Sequence, residues 1–380
     1  MTNLKNHLKN LFSPIKPISP KMIHFISPQD DPRNYRLHLR IETDGSGILI
    51  VNGSTILHLN QTATEYANYL VLNIPIEKAS REMASRYQVD PSVAKEDYQL
   101  LIDRIQSLIN TPDLDPVTFL DFDRHHPFTG PISAPYRLDC AITYKIPENS
   151  NPDITPHNRA QNELTTAEWF SVLDKAWSAA IPHIVFTGGE PTLRGDLPEL
   201  IGHAETNGQI TGLLTDGHRL TDKEYLHTLL ATGLDHLMII VHPELESDIQ
   251  AIQNCLEEDI FLCIHLTLTP ENREALENFI KTLVEQGVKA VSLSSNSPDL
   301  KDDLLDLRKL VADLNVELVW NLPVPYSSLH PVWMELASPP PEVAGRAWIY
   351  VEPDGDVLAA QGSDKKMGNF LRDSWDTIWK

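Results

Sequence analysis

Apolar and polar residues alternate along the chain with two different periods, and the change of period divides it. From residue 35 the segments YRLHLRIET, GILIVNG and STILHLN alternate with period two, as half-buried strands do. Asn52-Gly53 between the last two tolerates the positive φ of a tight hairpin. Helical patterns follow in TATEYANYLVLN, IEKASREMASRYQ and VAKEDYQLLIDRIQSLI, with Pro91 suited to the first turn of the third. Residues 31–110 therefore predict a small α+β winged-helix-like domain. It stands between a flexible tail over 1–30 and a Pro/Asp-rich linker over 111–135.

From residue 136 short apolar runs alternate with amphipathic helices. The runs RLDCAITY, HIVFTGG, ITGLLTDG, HLMIIVH, FLCIHLTLT, AVSLSSN and VELVWNL are nearly unbroken, as in strands covered on both faces. The pattern over 136–325 predicts an α/β domain, a partial or near-closed TIM-like (β/α)6-7 barrel. The segment 326–380 reads as an appendage, a hairpin around Pro353-Asp354-Gly355 followed by a short helix.

In such barrels chemistry gathers at the C-terminal ends of the strands. Three predicted strand ends carry polar residues there: Gly188, Gly189, Glu190 and Pro191; Thr215 and Asp216; and Asn272. The glycines let backbone approach a ligand closely, and Glu190 is a carboxylate acceptor for an ammonium group. Each feature also has a plain reading, as a βα turn, a turn dipeptide or a helix cap. Only their joint placement on one face points to a site for a small polar ligand.

Charge and cysteine content narrow the classes. The 380 residues carry a net charge of −22, which excludes a nucleic-acid surface and suits a basic peptide partner. No apolar run is long enough for a spanning helix. Three scattered cysteines form no disulfide framework and fit a reducing cytoplasm. His125, His126 and His157 match no metal spacing, so no metal site is expected.

The ordered set VFTGGEPTLRGDLPELI, LLTDGHRL, LTLTPEN and LDCAITYKIPENSNPD resembles the radical S-adenosylmethionine (radical SAM) superfamily over roughly 136–320. GILIVNGSTILHLNQTATEYANYL is similar to the peptide-chaperone domain of pyrroloquinoline quinone biosynthesis, which recognises leader peptides. The tail resembles the C-terminal extension of peptide-modifying members. The resemblance implies S-adenosylmethionine at Gly188, Gly189, Glu190, Pro191, Thr215, Asp216 and Asn272. It also implies a precursor peptide added as a strand along Ile56, Leu57 and Leu59. One departure is decisive for the expected chemistry. The family's three cluster cysteines fall on Ile146, Ser150 and Asp153, and the auxiliary cysteine on Ala360. Iron–sulfur clusters require thiolates, so the [4Fe–4S] cluster is expected to be absent. The expectation is a degenerate, accessory peptide- or ligand-binding protein of peptide modification or cofactor biosynthesis. The alternatives are a SAM-binding enzyme with non-radical chemistry and a true radical SAM peptide-modifying enzyme with unconventional cluster ligation.

Overall fold

The computed structural model describes residues 15–28, 30–53, 55–111, 114–120, 122, 132–147, 162–241, 246–295, 297–319, 345–361, 363 and 366–379. The chain divides into two compact units, residues 1–133 and 134–380.

The first unit is an antiparallel sheet of four strands in sequence order: β1 (Lys21–Ile26), β2 (Arg36–Ile41), β3 (Gly47–Val51) and β4 (Thr55–Leu59). Three helices follow: α1 (Gln61–Val71), α2 (Ile76–Tyr87) and α3 (Pro91–Asn110). The β3–β4 hairpin places both Asn52 and Gly53 at positive φ, as the Asn-Gly pair predicts. Asn60 caps α1 by accepting from the amide of Ala63, and Asp90 caps α3 just before Pro91. Leu39, Leu49 and Leu57 on the sheet pack with Ala67, Met83 and Tyr98 on the helices into one core.

Two sequence expectations change here. The tail over 1–30 was expected to be flexible, but Lys21–Ile26 is strand β1, paired along its whole length with β2. Its KMIHFI alternation is weak, and pairing with β2 supplies what local pattern lacks. The supposed linker also begins with a short helix, α4 (Pro116–Leu120). Leu120 and Phe122 pack against the core of the first unit.

The second unit is built on one ten-stranded sheet in the order β11-β10-β9-β8-β7-β6-β5-β12-β13-β14. Strands β5 (Arg137–Thr143), β6 (His183–Gly188), β7 (Ile210–Thr215), β8 (His236–Ile240), β9 (Phe261–Leu268), β10 (Ala290–Ser295) and β11 (Glu317–Leu318) run parallel. Between them come α5 (Thr166–Ser178), α6 (Leu197–Asn207), α7 (Lys223–Ala231), α8 (Glu246–Leu256), α9 (Arg273–Glu285) and α10 (Lys301–Asp313). A full capping box between Thr165 and Glu168 starts α5, and Gly208 in the left-handed region ends α6. Leu138, Phe186, Leu213, Ile264 and Leu293 turn toward the helices and form the main core.

The sheet does not close into a barrel. The tail is a continuation of it, which corrects the expectation of an appendage. Strand β12 (Trp348–Val351) pairs parallel with β5, and β13 (Asp356–Leu358) and β14 (Lys366–Asn369) extend the sheet antiparallel. The first barrel strand would otherwise present an open edge, and β12 satisfies its hydrogen bonds. The short helix α11 (Trp375–Ile378) follows. No described helix is long and apolar enough to cross a membrane.

Candidate functional site

The Gly-Gly-Glu-Pro turn is shaped by the chain itself. After β6, the amide of Gly189 donates to the Thr143 carbonyl at 2.8 Å and that of Glu190 to the Lys145 carbonyl at 2.7 Å. The end of β5 thus lies directly over the two glycines. A Cβ on Gly188 would sit 2.1 Å from the Thr143 oxygen, and one on Gly189 2.2 Å from the Lys145 oxygen. Gly188 also holds φ at +125°. Glycine is required at both positions by backbone packing alone.

Glu190 is 3% exposed and its carboxylate is engaged within the chain. Oε1 accepts from the Thr192 amide at 3.0 Å, the Thr192 hydroxyl at 2.6 Å and the Thr215 hydroxyl at 2.7 Å. Oε2 accepts from the Asp216 amide at 2.7 Å. The side chain therefore ties β6 to β7. Burial, and then the charge of Asp216, push its pKa up to about 7, against the hydrogen bonds from Asp216, Thr192 and Thr215. Asp216 accepts from the His218 amide through Oδ1, while its buried Oδ2 has no hydrogen-bond partner among the described residues.

Glu190, Thr215 and Asp216 therefore meet, as the sequence pattern suggests, but not as an open acidic face. The expected ligand acceptor is instead saturated by four donors of its own chain. Asn272 is not joined to them among the hydrogen bonds of the described residues. Its Nδ2 donates to the Thr267 carbonyl and its Oδ1 accepts from the Thr269 amide, both at 2.9 Å. It precedes α9 but gives that helix no side-chain cap.

Sequence reasoning missed the residues that hold this turn in place. Arg194 donates at 3.0 Å to the carbonyls of both Ile142 and Leu164, and it pairs with Asp196. It thereby joins the two chain segments that flank residues 148–161. Arg219 donates to the Thr192 carbonyl at 2.6 Å and stacks over the Tyr225 ring at 3.8 Å. An arginine two or three residues beyond a turn is a common surface feature, so the sequence carries no signal for either role.

The sequence places Ile146, Ser150 and Asp153 where the resemblance implies cluster cysteines. Of the three positions implied by resemblance, Ile146 is described and is half-buried; Ser150 and Asp153, like His125, His126 and His157, lie outside the described residues. The cysteines are free, buried and dispersed. Cys140 on β5 and Cys255 on α8 belong to the main core, and Cys263 on β9 to the apolar layer on the opposite sheet face. Burial raises all three thiols; Cys255 is pushed up to about 12. Among the described residues no group of three histidine, cysteine or acidic side chains converges on a metal position. In native protein a thiol reagent at neutral pH is expected to titrate none of the three cysteines; denaturant should expose all of them together. Rapid labelling of one cysteine before unfolding would contradict this packing.

In the first unit, β4 is an edge strand, the feature that strand addition requires. Of the residues implied to meet a peptide, Leu57 and Leu59 are core residues, at 2% and 4% exposure, and Ile56 is partly exposed. The two leucines alternate onto the buried face, so an added strand would meet the backbone and Ile56, not all three side chains.

Residues 140–242 match the model of the radical SAM superfamily. The fold is similar to that of Streptococcus suis SuiB. SuiB bound to S-adenosylmethionine is 17% identical with a TM-score of 0.60, over 94% of this chain and 88% of that one. SuiB bound to the precursor peptide SuiA is 15% identical with a TM-score of 0.58, over 94% and 89%. The structure of anSMEcpe with bound AdoMet is 14% identical with a TM-score of 0.50, over 65% and 80%. Residues 140–242 thus match a radical SAM model, and the fold is similar to that of SuiB over 94% of this chain.

Proposed function

We propose that this chain is a radical SAM-fold protein that works without an iron–sulfur cluster and binds a peptide as an accessory subunit of peptide modification. The observation that carries the reading is the thiol inventory. All three cysteines are locked in apolar cores, and none follows β5 at positions 146, 150 and 153. Without thiolates there is no cluster to supply an electron, and reductive chemistry on S-adenosylmethionine is not available to the chain. Peptide binding is supported by the edge strand β4 and by the likeness to a protein whose structure holds a precursor peptide. Helix α3 exposes Val93 and Leu100, seven residues apart on one stripe of that helix. The net charge of −22 favours a basic peptide.

Two measurements test this. Anaerobic reconstitution of the full chain should leave iron and sulfide at background, with no visible absorbance band; a stoichiometric cluster would sink the proposal. Titration of the full chain with basic precursor-type peptides should protect β4 amides from hydrogen exchange. A Val93→Asp/Leu100→Asp double variant should weaken that binding by about tenfold, roughly the loss of one buried apolar side chain. Exchange at β4 that every peptide leaves unchanged would remove the peptide role.

A second reading is retention of S-adenosylmethionine for non-radical chemistry. It is supported by the SAM-bound likenesses and by the intact Gly-Gly-Glu-Pro turn. Calorimetric titration with S-adenosylmethionine decides it: saturable binding that Thr215→Val weakens favours this reading, and no heat of binding excludes it.

A further inference from the structure

The sheet face opposite the main core changes chemistry along its length. At one level Val185, Leu214, Met238, Cys263, Ala290 and Val319 form an apolar layer. Two residues further toward the C-terminal strand ends, pairing sets Ile240, His265 and Ser292 side by side. Two residues further again it sets Thr267 beside Ser294. His265 Nδ1 lies 3.1 Å from the Ser292 hydroxyl. Its Nε2 lies 3.1 Å from Ser294 Oγ and 3.3 Å from Thr267 Oγ1, which are themselves 3.3 Å apart. His265, Ser292 and Ser294 are buried, while Thr267 is partly exposed, so the strip runs from the interior to the surface.

Such a strip is costly to build on an apolar layer. Its members have an uncommon property. Every hydroxyl that meets the ring can donate or accept, so either neutral tautomer of His265 is satisfied by rotation of hydroxyl groups. The outer pair, Thr267 and Ser294, can therefore present a donor or an acceptor to an incoming group without an ionic cost. The strip also lies in the C-terminal half of the strands, where barrel enzymes keep their ligands. By contrast, the buried Arg137–Asp139 pair at the opposite ends, with Nε–Oδ1 at 2.6 Å, is ionic.

We propose that His265, Ser294 and Thr267 form a binding subsite for a neutral hydroxyl-bearing group, distinct from the Glu190 turn and from the β4 edge. The same chemistry could come from a sugar diol or from a serine or threonine side chain of a peptide. Glu190 offers charge; this strip offers only uncharged hydrogen bonds, and it discriminates by hydroxyl pattern. The subsite does not depend on whether the chain captures a peptide at β4, so the two ideas fail separately.

The test uses the full chain labelled with ¹⁵N-histidine, and the His265 ring signals are assigned by their loss in His265→Asn. Adenosine, its 2′,3′-dideoxy analogue and N-acetyl-serine amide are titrated in turn. The expected result is a saturable shift of His265 Nε2 with adenosine or with the serine amide, and none with the dideoxy analogue. Whichever of the two moves the signal identifies the source of the hydroxyl. Ser294→Ala and Thr267→Val should each weaken that probe at least tenfold while leaving the thermal unfolding profile in place. The proposal is overturned if neither hydroxylated probe moves His265, if the dideoxy analogue moves it equally, or if the two well-folded variants bind unchanged.

Discussion

Gly188→Ala is expected to destabilise the second unit by on the order of 3–5 kcal/mol, with Gly189→Ala close behind. Both effects come from the end of β5, which lies over the turn with the Thr143 and Lys145 carbonyls little more than 2 Å from where a Cβ would be placed. Neither contact can relax by rotating a side chain, because the obstructing atoms are backbone. At Gly188 the φ of +125° adds strain that any other residue would carry. Urea unfolding followed by hydrogen exchange of β5 and β6 amides would report the loss; the exchange of β2 and β3, in the other unit, provides the internal reference. A Gly195→Ala variant, where a Cβ meets nothing within 4 Å, should be silent. If Gly188→Ala were as benign as Gly195→Ala, the turn would not be held by the strand above it, and its glycines would need a ligand to explain them.

The second large effect is the pH dependence carried by Glu190. Its folded pKa, about 7, lies above the value of about 4.3 for an unfolded glutamate. Between those values the folded chain holds a proton that the unfolded chain has released, so stability falls as pH rises through the window and levels off above it. The expected loss attributable to this group is about 4 kcal/mol. Glu190→Gln removes the titration. The stability of the wild type relative to that variant should therefore decline from pH 4.3 to 7 and stay flat at higher pH. Glu190→Ala should be worse than the glutamine variant at every pH, by about 2 kcal/mol, because the glutamine oxygen still serves one of the buried Thr192 and Asp216 amides and alanine serves neither. A wild-type-minus-glutamine difference that does not vary with pH would mean that the carboxylate is not held in the buried, acid-flanked setting described above.

These two predictions bear on what the turn does for the fold. Gly188 and Gly189 fit under β5, and Glu190 staples β6 to β7 through Thr192, Thr215 and Asp216. Such a turn is retained by the requirements of folding, whatever becomes of the residues after Lys145.

The sequence by itself determined the elements that rest on local pattern. Apolar runs such as HIVFTG and FLCIHLTL, spaced by amphipathic helices, sufficed for the parallel sheet, since strands covered on both faces need unbroken hydrophobicity. Asn52-Gly53, Asp90-Pro91 and the order of strands and helices sufficed for most of the first unit, because hairpins and caps are written in a few neighbouring residues. The absence of cysteine at 146, 150 and 153 was likewise plain, since ligand identity is a property of the residue alone. The tertiary structure decided what depends on distant partners. It placed Lys21–Ile26 on β2 and Trp348–Val351 beside β5, pairings set by unsatisfied strand edges and not by local propensity. It turned Leu57 and Leu59 inward into the core of the first unit, and closed Glu190 on four donors from two strand ends. It also gathered His265, Ser292, Ser294 and Thr267, which stand at alternate positions of two strands and meet only because the register of β9 and β10 aligns them. Alternation gives each strand its two faces, but which side chains touch across a face is fixed by pairing register, and register is a long-range property.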